Sequence, residues 1–198
     1  LELGGKNALY VADDVDVETA AEGAVRACFA GAGQVCVSVE RVLVHEAVAS
    51  EFTAAFVRRV KALRLGSGLD YSYDVGSVTT PAQLEKVVAH FDDAVARGAR
   101  VLAGGVHRTD LGPLFFEPTV LTDVPGEAVL AREETFGPVV VLATVESDDD
   151  AVAHVNDSEL GLNASIWTGS ERRGRQIAER VRTGIVNINE GYASAWSA

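Results

Sequence analysis

Apolar and polar positions change period repeatedly along this chain, and each change marks an element. Ala8-Leu9-Tyr10-Val11 is a short apolar run suited to a buried strand. Asp13, Asp14 and Asp16 then offer N-caps for a helix whose apolar positions Val17, Ala21, Ala24, Val25, Cys28 and Ala32 fall at helical spacing. Gly31 and Gly33 are expected to end that helix and deliver the chain to Gln34-Val35-Cys36. Val37-Ser38-Val39-Glu40 is read as able to start a helix of its own, Arg41 to His45 as a strand, and Ala49 to Leu63 as an amphipathic helix. Thr80-Pro81 pairs a cap with proline at the first helical position, predicting a helix to about Arg97. A strand is expected within Gly98 to Gly105, with extended segments at Phe115 to Leu121 and Pro138 to Val145. Asp148 to Val155 and Glu171 to Val181 read as helices, and Ala164 to Thr168 and Ile185 to Ile188 as strands. This alternation with short connections predicts one α/β domain over residues 1–198, three layers deep, around a mostly parallel sheet.

Composition narrows the function classes. The chain carries 29 acidic against 17 basic residues, a net charge of −12, which argues against nucleic acid or an anionic membrane surface as partner. No apolar run is long enough to span a bilayer. The two cysteines, Cys28 and Cys36, form no CxxC pair, and the four histidines give no zinc spacing, so no metal is expected. Free thiols suit a reducing compartment, and a cytoplasmic location is expected. The chain opens on Leu1-Glu2-Leu3-Gly4-Gly5 without Met and is read as part of a longer protein.

Cys36 is the first candidate for chemistry. Were a helix to begin there, its dipole and free N–H groups would favour thiolate and could hold an oxyanion. A free thiol is more often a small buried apolar side chain, and Cys28, on the apolar stripe of its helix, is read that way. Glu2 between two leucines could serve as a general base if apolar surroundings raise its pKa; locally, a surface Glu before a turn is the plainer reading. Glu133-Glu134 precede an apolar strand; at its N-terminal approach, one acid could accept bonds from a sugar diol. Gly4-Gly5 is too short for a dinucleotide fingerprint, and there is no GxGxxG. His45, His90, His107 and His154 have no motif context for a Cys–His pair.

Together these segments resemble the aldehyde dehydrogenase superfamily. Leu1-Glu2-Leu3-Gly4-Gly5-Lys6-Asn7 is similar to its glutamate signature, and Phe29 to Cys36 to its Phe-x-x-x-Gly-Gln-x-Cys signature, 34 positions separating Glu2 from Cys36. Glu134-Thr135-Phe136-Gly137-Pro138, Gly161 to Ser165 and Gly184 to Asn189 resemble three further family elements in order. Within the superfamily, Gln34 to Arg41 and Asn189 to Trp196 look most like a bacterial succinate-semialdehyde dehydrogenase branch, with Ser38 a departure from the usual small apolar residue. The resemblance implies that Cys36 adds to an aldehyde carbonyl, giving a thiohemiacetal that loses hydride to NAD or NADP. Glu2 then activates water to hydrolyse the thioester. It further implies that Glu134 holds the nicotinamide ribose, Phe136 packs beside the ring, and Gly5 lets the backbone pass close to it. No catalytic role is assigned to Lys6. The substrate implied is a small-molecule aldehyde and the assembly a homo-oligomer. The family's cofactor-binding domain is expected to lie mainly before Glu2. A non-catalytic fragment and a cofactor-independent thiol esterase are the alternatives.

Overall fold

The computed structural model describes residues 4–70 and 72–191. Among these residues seven strands form one sheet: β1 (Asn7–Val11), β2 (Val39–His45), β3 (Arg100–Ala103), β4 (Thr119–Thr122), β5 (Val139–Val145), β6 (Asn163–Trp167) and β7 (Ile185–Ile188). Their order is β3-β4-β5-β2-β1-β6-β7. Every pairing is parallel except β3 with β4, at one edge. The expected mostly parallel sheet is therefore present.

Among the described residues six α-helices cover both faces: α1 (Val17–Phe29), α2 (Glu46–Lys61), α3 (Pro81–Ala96), α4 (Val129–Arg132), α5 (Asp148–Asn156) and α6 (Glu171–Ala178). Strand periodicity assigns the layers. Leu9, Val11, Val42, Val44, Val140 and Leu142 share a core with α1 and α2. The intervening Ala8, Tyr10 and Leu43 face the other way, toward α5 and α6, and Leu121 and Val139 pack with α3 and α4. Strands buried on both sides read as continuous apolar runs, which is what Ala8 to Val11 shows.

The caps predicted for α1 and α3 are in place. Asp16 accepts the Thr19 N–H at 2.8 Å, Thr80 caps α3 ahead of Pro81, and Ser147 and Ser170 cap α5 and α6. The short α4 follows Pro125-Gly126 and carries too few residues for a periodic signal. One expectation fails: Val37 to Glu40 is not helical. The Val35 carbonyl accepts from the Ser38 N–H at 2.8 Å in a single turn, and β2 begins at Val39. Two β-branched valines favour extended backbone, and the Asn7 side chain takes the Cys36 and Ser38 carbonyls.

Among the described residues no helix is long and apolar enough to cross a membrane.

Candidate active site

Gly5 and Lys6 lead into β1, Cys36 leads into β2, Glu134 to Phe136 lead into β5, and Asn163 opens β6. These four strands are parallel neighbours, so all the leading segments arrive at one edge of the sheet, its amino edge. Residues from the quoted motifs, far apart in sequence, thereby meet.

Asparagine amides stitch that edge together. Asn7 Nδ2 donates to the carbonyls of Cys36 and Ser38, both at 2.8 Å, while its Oδ1 accepts the Asn163 N–H at 3.0 Å. Asn163 Nδ2 donates to the Val37 carbonyl at 3.1 Å, and Asn187 Nδ2 to Asn163 Oδ1 at 2.7 Å. Buried amides in such a ladder satisfy backbone groups that strand pairing leaves over, each bond contributing about 1 kcal/mol net.

The Cys36 turn is tethered on its other side by α1. The Ser38 hydroxyl lies 3.2 Å from the Ala27 carbonyl and 3.1 Å from that of Cys28, two of the acceptors a helix end leaves open. Between α1 and Cys36 the backbone is left-handed through Gly31, Ala32 and Gly33. Gly33 abuts the Gly137 carbonyl so closely that a Cβ would collide with it. Gln34 Oε1 accepts the Thr79 N–H and hydroxyl, both at 2.8 Å.

The two thiols differ as expected in burial. Cys28 is 2% exposed on the α1 core face, where burial pushes its thiol pKa up. Cys36 is half-buried on the turn. No helix follows it, so the dipole expected to act on its sulfur is absent, a correction with the cause given above.

Gly5 packs against the thiol's own segment. A Cβ there would lie 2.8 Å from the Cys36 carbonyl and 2.7 Å from both Asn7 amide atoms. The close approach at Gly5 is thus already demanded by Cys36 and Asn7. Glu2, the expected general base, lies outside the described residues.

Glu134 lies at the N-terminal approach to β5, where it lines a cleft. Its Oε1 accepts the Gly5 N–H at 2.7 Å. A cleft of about 800 Å³ opens beside it, lined among others by Lys86, Arg132, Asn156, Leu160 and Arg182. Phe136 stands at φ +56°, a left-handed conformation that a bulky residue holds only under constraint. Side chains supply the constraint. Gln83 Nε2 donates to the carbonyls of Thr135 and Phe136 at 2.7 and 2.9 Å. Glu40 accepts the Thr135 N–H at 3.0 Å and the Phe136 N–H at 2.8 Å.

Glu40 is itself paired with Lys6 at 2.6 Å, the side chains 4% and 1% exposed. Burial holds the Lys6 ammonium pKa below its ordinary value, the Glu40 carboxylate opposing that shift. Behind the loop, His90 Nδ1 lies 3.2 Å from the Thr135 hydroxyl, and burial followed by the Lys86 and Lys6 charges lowers its pKa. Sequence reasoning did not single out Glu40, Asn7, Asn163 or Gln83. The one available signal was Glu40 itself, a carboxylate inside a β-branched run.

Comparison with known proteins fits this geometry. The family model described as "Aldehyde dehydrogenase family" matches residues 1–198. A Mycobacterium ulcerans protein, provisionally named a succinate-semialdehyde dehydrogenase for NADP(+), is 51% identical over 197 residues, covering 100% of this chain and 38% of its own length. The mitochondrial succinate-semialdehyde dehydrogenase of Oryza sativa is 39% identical over 194 residues, 98% of this chain and 37% of its own. Among solved structures, betaine aldehyde dehydrogenase from Staphylococcus aureus in complex with NAD+ superposes with a TM-score of 0.91 at 36% identity, covering 96% of this chain and 38% of that one. The chain thus spans well under half the length of these relatives. It belongs to the aldehyde dehydrogenase family.

Proposed function

We propose that this chain supplies the catalytic half of an NAD(P)-dependent aldehyde dehydrogenase acting on succinate semialdehyde. The observation that carries the reading is the meeting of a half-buried thiol, Cys36, with the Gly5 and Glu134 segments at one edge of the sheet. The substrate and the NADP preference rest on the relative named for them, and NAD remains the alternative acceptor, as in the Staphylococcus aureus complex.

The residues present suit a nicotinamide dinucleotide. Gly4, at φ +73°, and Gly5 keep a side-chain-free strip of backbone beside the Glu134 carboxylate, and Lys86 also lines the cleft there. Glu134 would accept from a ribose diol, Phe136 would cover the ring, and Gly5 would leave room for it. When bound, the dinucleotide supplies the hydride acceptor. The chain's own work is then as follows. Cys36 Sγ, as thiolate, forms the bond to the aldehyde carbon. The oxygen that gains charge is met by the Cys36 backbone N–H. After oxidation the acyl group stays on sulfur as a thioester, and Glu2 takes a proton from the water that attacks it. Release of the carboxylate returns the thiolate.

The test uses the full-length protein containing this chain, with succinate semialdehyde and either dinucleotide, following appearance of the reduced cofactor. Oxidation is expected in the wild type and lost in Cys36→Ala, and Glu2→Gln is expected to slow turnover by roughly 10²–10⁴-fold. A Cys36→Ala protein that still oxidises the aldehyde rules the reading out.

A further inference from the structure

The Lys6–Glu40 pair has no part in the chemistry above, yet among the described residues it is the ion pair with both side chains buried. Removing two charges from water carries a desolvation penalty that their mutual attraction must first offset. A pair retained under that cost invites the question of what else it holds. Glu40 holds two backbone N–H groups besides Lys6, those of Thr135 and Phe136. Lys6 follows directly on Gly5, whose own N–H binds Glu134. The loop is thus gripped by Glu40 through its backbone and by Gly5 through the Glu134 side chain, both anchored on the chain entering β1.

We infer that Glu40 is a positioning residue: its carboxylate, fixed by Lys6, locks the Glu134–Phe136 loop in its left-handed form so that Glu134 and Phe136 are presented to the dinucleotide. The inference rests on the functional reading above. The geometry makes it specific. Left-handed backbone at a phenylalanine reverts toward ordinary conformations once its restraints go. Glu40 supplies the acceptors for the loop's N–H groups, and Gln83 supplies donors only to its carbonyls. Loss of Glu40 therefore frees one whole side of the loop. The Cys36 segment is held by a different side chain, Asn7, which donates to the Cys36 and Ser38 carbonyls, so loss of Glu40 removes no hydrogen bond from Cys36.

Glu40→Gln replaces one acceptor oxygen with an NH2 that faces other donors. In the full-length protein, the dissociation constant for NADP+, read by quenching of intrinsic fluorescence, and KM for NADP+ are expected to rise together by about tenfold. The value of kcat at saturating NADP+ should stay within about threefold, and alkylation of Cys36 by iodoacetamide should keep its wild-type rate. Ile177→Ala, which hollows the core beneath α6, controls for lost stability and should leave the dissociation constant unchanged. Glu40→Asp keeps the charge beside Lys6 but falls short of the loop; it should weaken NADP+ binding in the same direction by less, and it decides the matter if Glu40→Gln does not fold. Wild-type affinity in the Glu40 variants, or an equal loss in Ile177→Ala, overturns the inference while leaving the functional reading intact. A wild-type protein that binds neither NADP+ nor NAD+ overturns both.

Discussion

At the carboxyl ends of β1, β5 and β6, Arg173 gathers Asp13 at 2.6 Å, Asp14 at 3.3 Å and Asp148 at 2.7 Å, and Tyr10 adds a hydrogen bond to Asp148 at 2.7 Å. At the amino ends of β1, β2, β5 and β6 stand neutral amides, one buried ion pair, two glycines and a half-buried thiol. In open α/β sheets, ligands usually lie beyond the carboxyl ends of the strands. Here that edge is filled by the chain's own ions, and the residues with chemistry to offer stand at the opposite edge. Side-chain charges close the carboxyl edge. At the amino edge, backbone is brought close to backbone, with glycine where a Cβ would strike the Cys36 carbonyl or that of Gly137.

Substitutions at the two edges should separate activity from stability. The largest effect is expected from Cys36→Ala, which should lower aldehyde oxidation by roughly 10⁴-fold or more with the melting temperature nearly unchanged; Cys28→Ala, measured in parallel, should retain turnover. Gly5→Ala should come next. Its methyl must displace the Cys36 carbonyl or the Asn7 amide, costing about 1–3 kcal/mol of stability, so both turnover and the denaturant midpoint should fall.

At the other edge, Arg173→Leu should lose about 1–3 kcal/mol by denaturant unfolding, as charged hydrogen bonds to Asp13 and Asp148 go. Its KM and kcat should match those of the wild type. If turnover falls in step with Arg173→Leu, the division between edges is wrong.

The carboxyl edge also predicts an acid response. The Arg173 guanidinium holds the carboxyls of Asp13 and Asp148 below the usual carboxylate range. Their folded values lie under their unfolded ones, so their stabilisation is complete above about pH 4, the unfolded value, and is lost as pH falls through the folded values. Wild-type stability should therefore decline below about pH 4, and Arg173→Leu should show a shallower decline over that range. The smallest effect is expected at Ser38→Ala, which takes the hydroxyl from the Ala27 and Cys28 carbonyls and should cost about 1 kcal/mol in thermal unfolding.

These edges were unequally legible beforehand. The layers followed from apolar runs and from caps such as Thr80-Pro81, because both are local signals. The helical stripe placed Cys28 in the core and so left Cys36 as the thiol of interest. The turn after Cys36 was misread: it closes at Ser38 and gives way at Val39 to strand, and the side chain that binds the Cys36 and Ser38 carbonyls, Asn7, lies 29 positions before Cys36. Long separation hid the rest of the site as well. Glu40 finds Lys6 across 34 positions and Thr135 across 95, and Asn7 meets Asn163 across 156. Such pairs are fixed by strand order, which leaves no periodic trace in the chain. The Arg173 cluster escaped for the same reason; from the sequence, that arginine was only one position in the helix expected over Glu171 to Val181.

The most direct measurement is mass spectrometry of the full-length protein, acid-quenched while it turns over succinate semialdehyde with NADP+. A succinyl group bound as a thioester on the peptide containing Cys36, and not on the one containing Cys28, is the predicted result. An unmodified Cys36 during active turnover, or equal acylation of both cysteines, would contradict it.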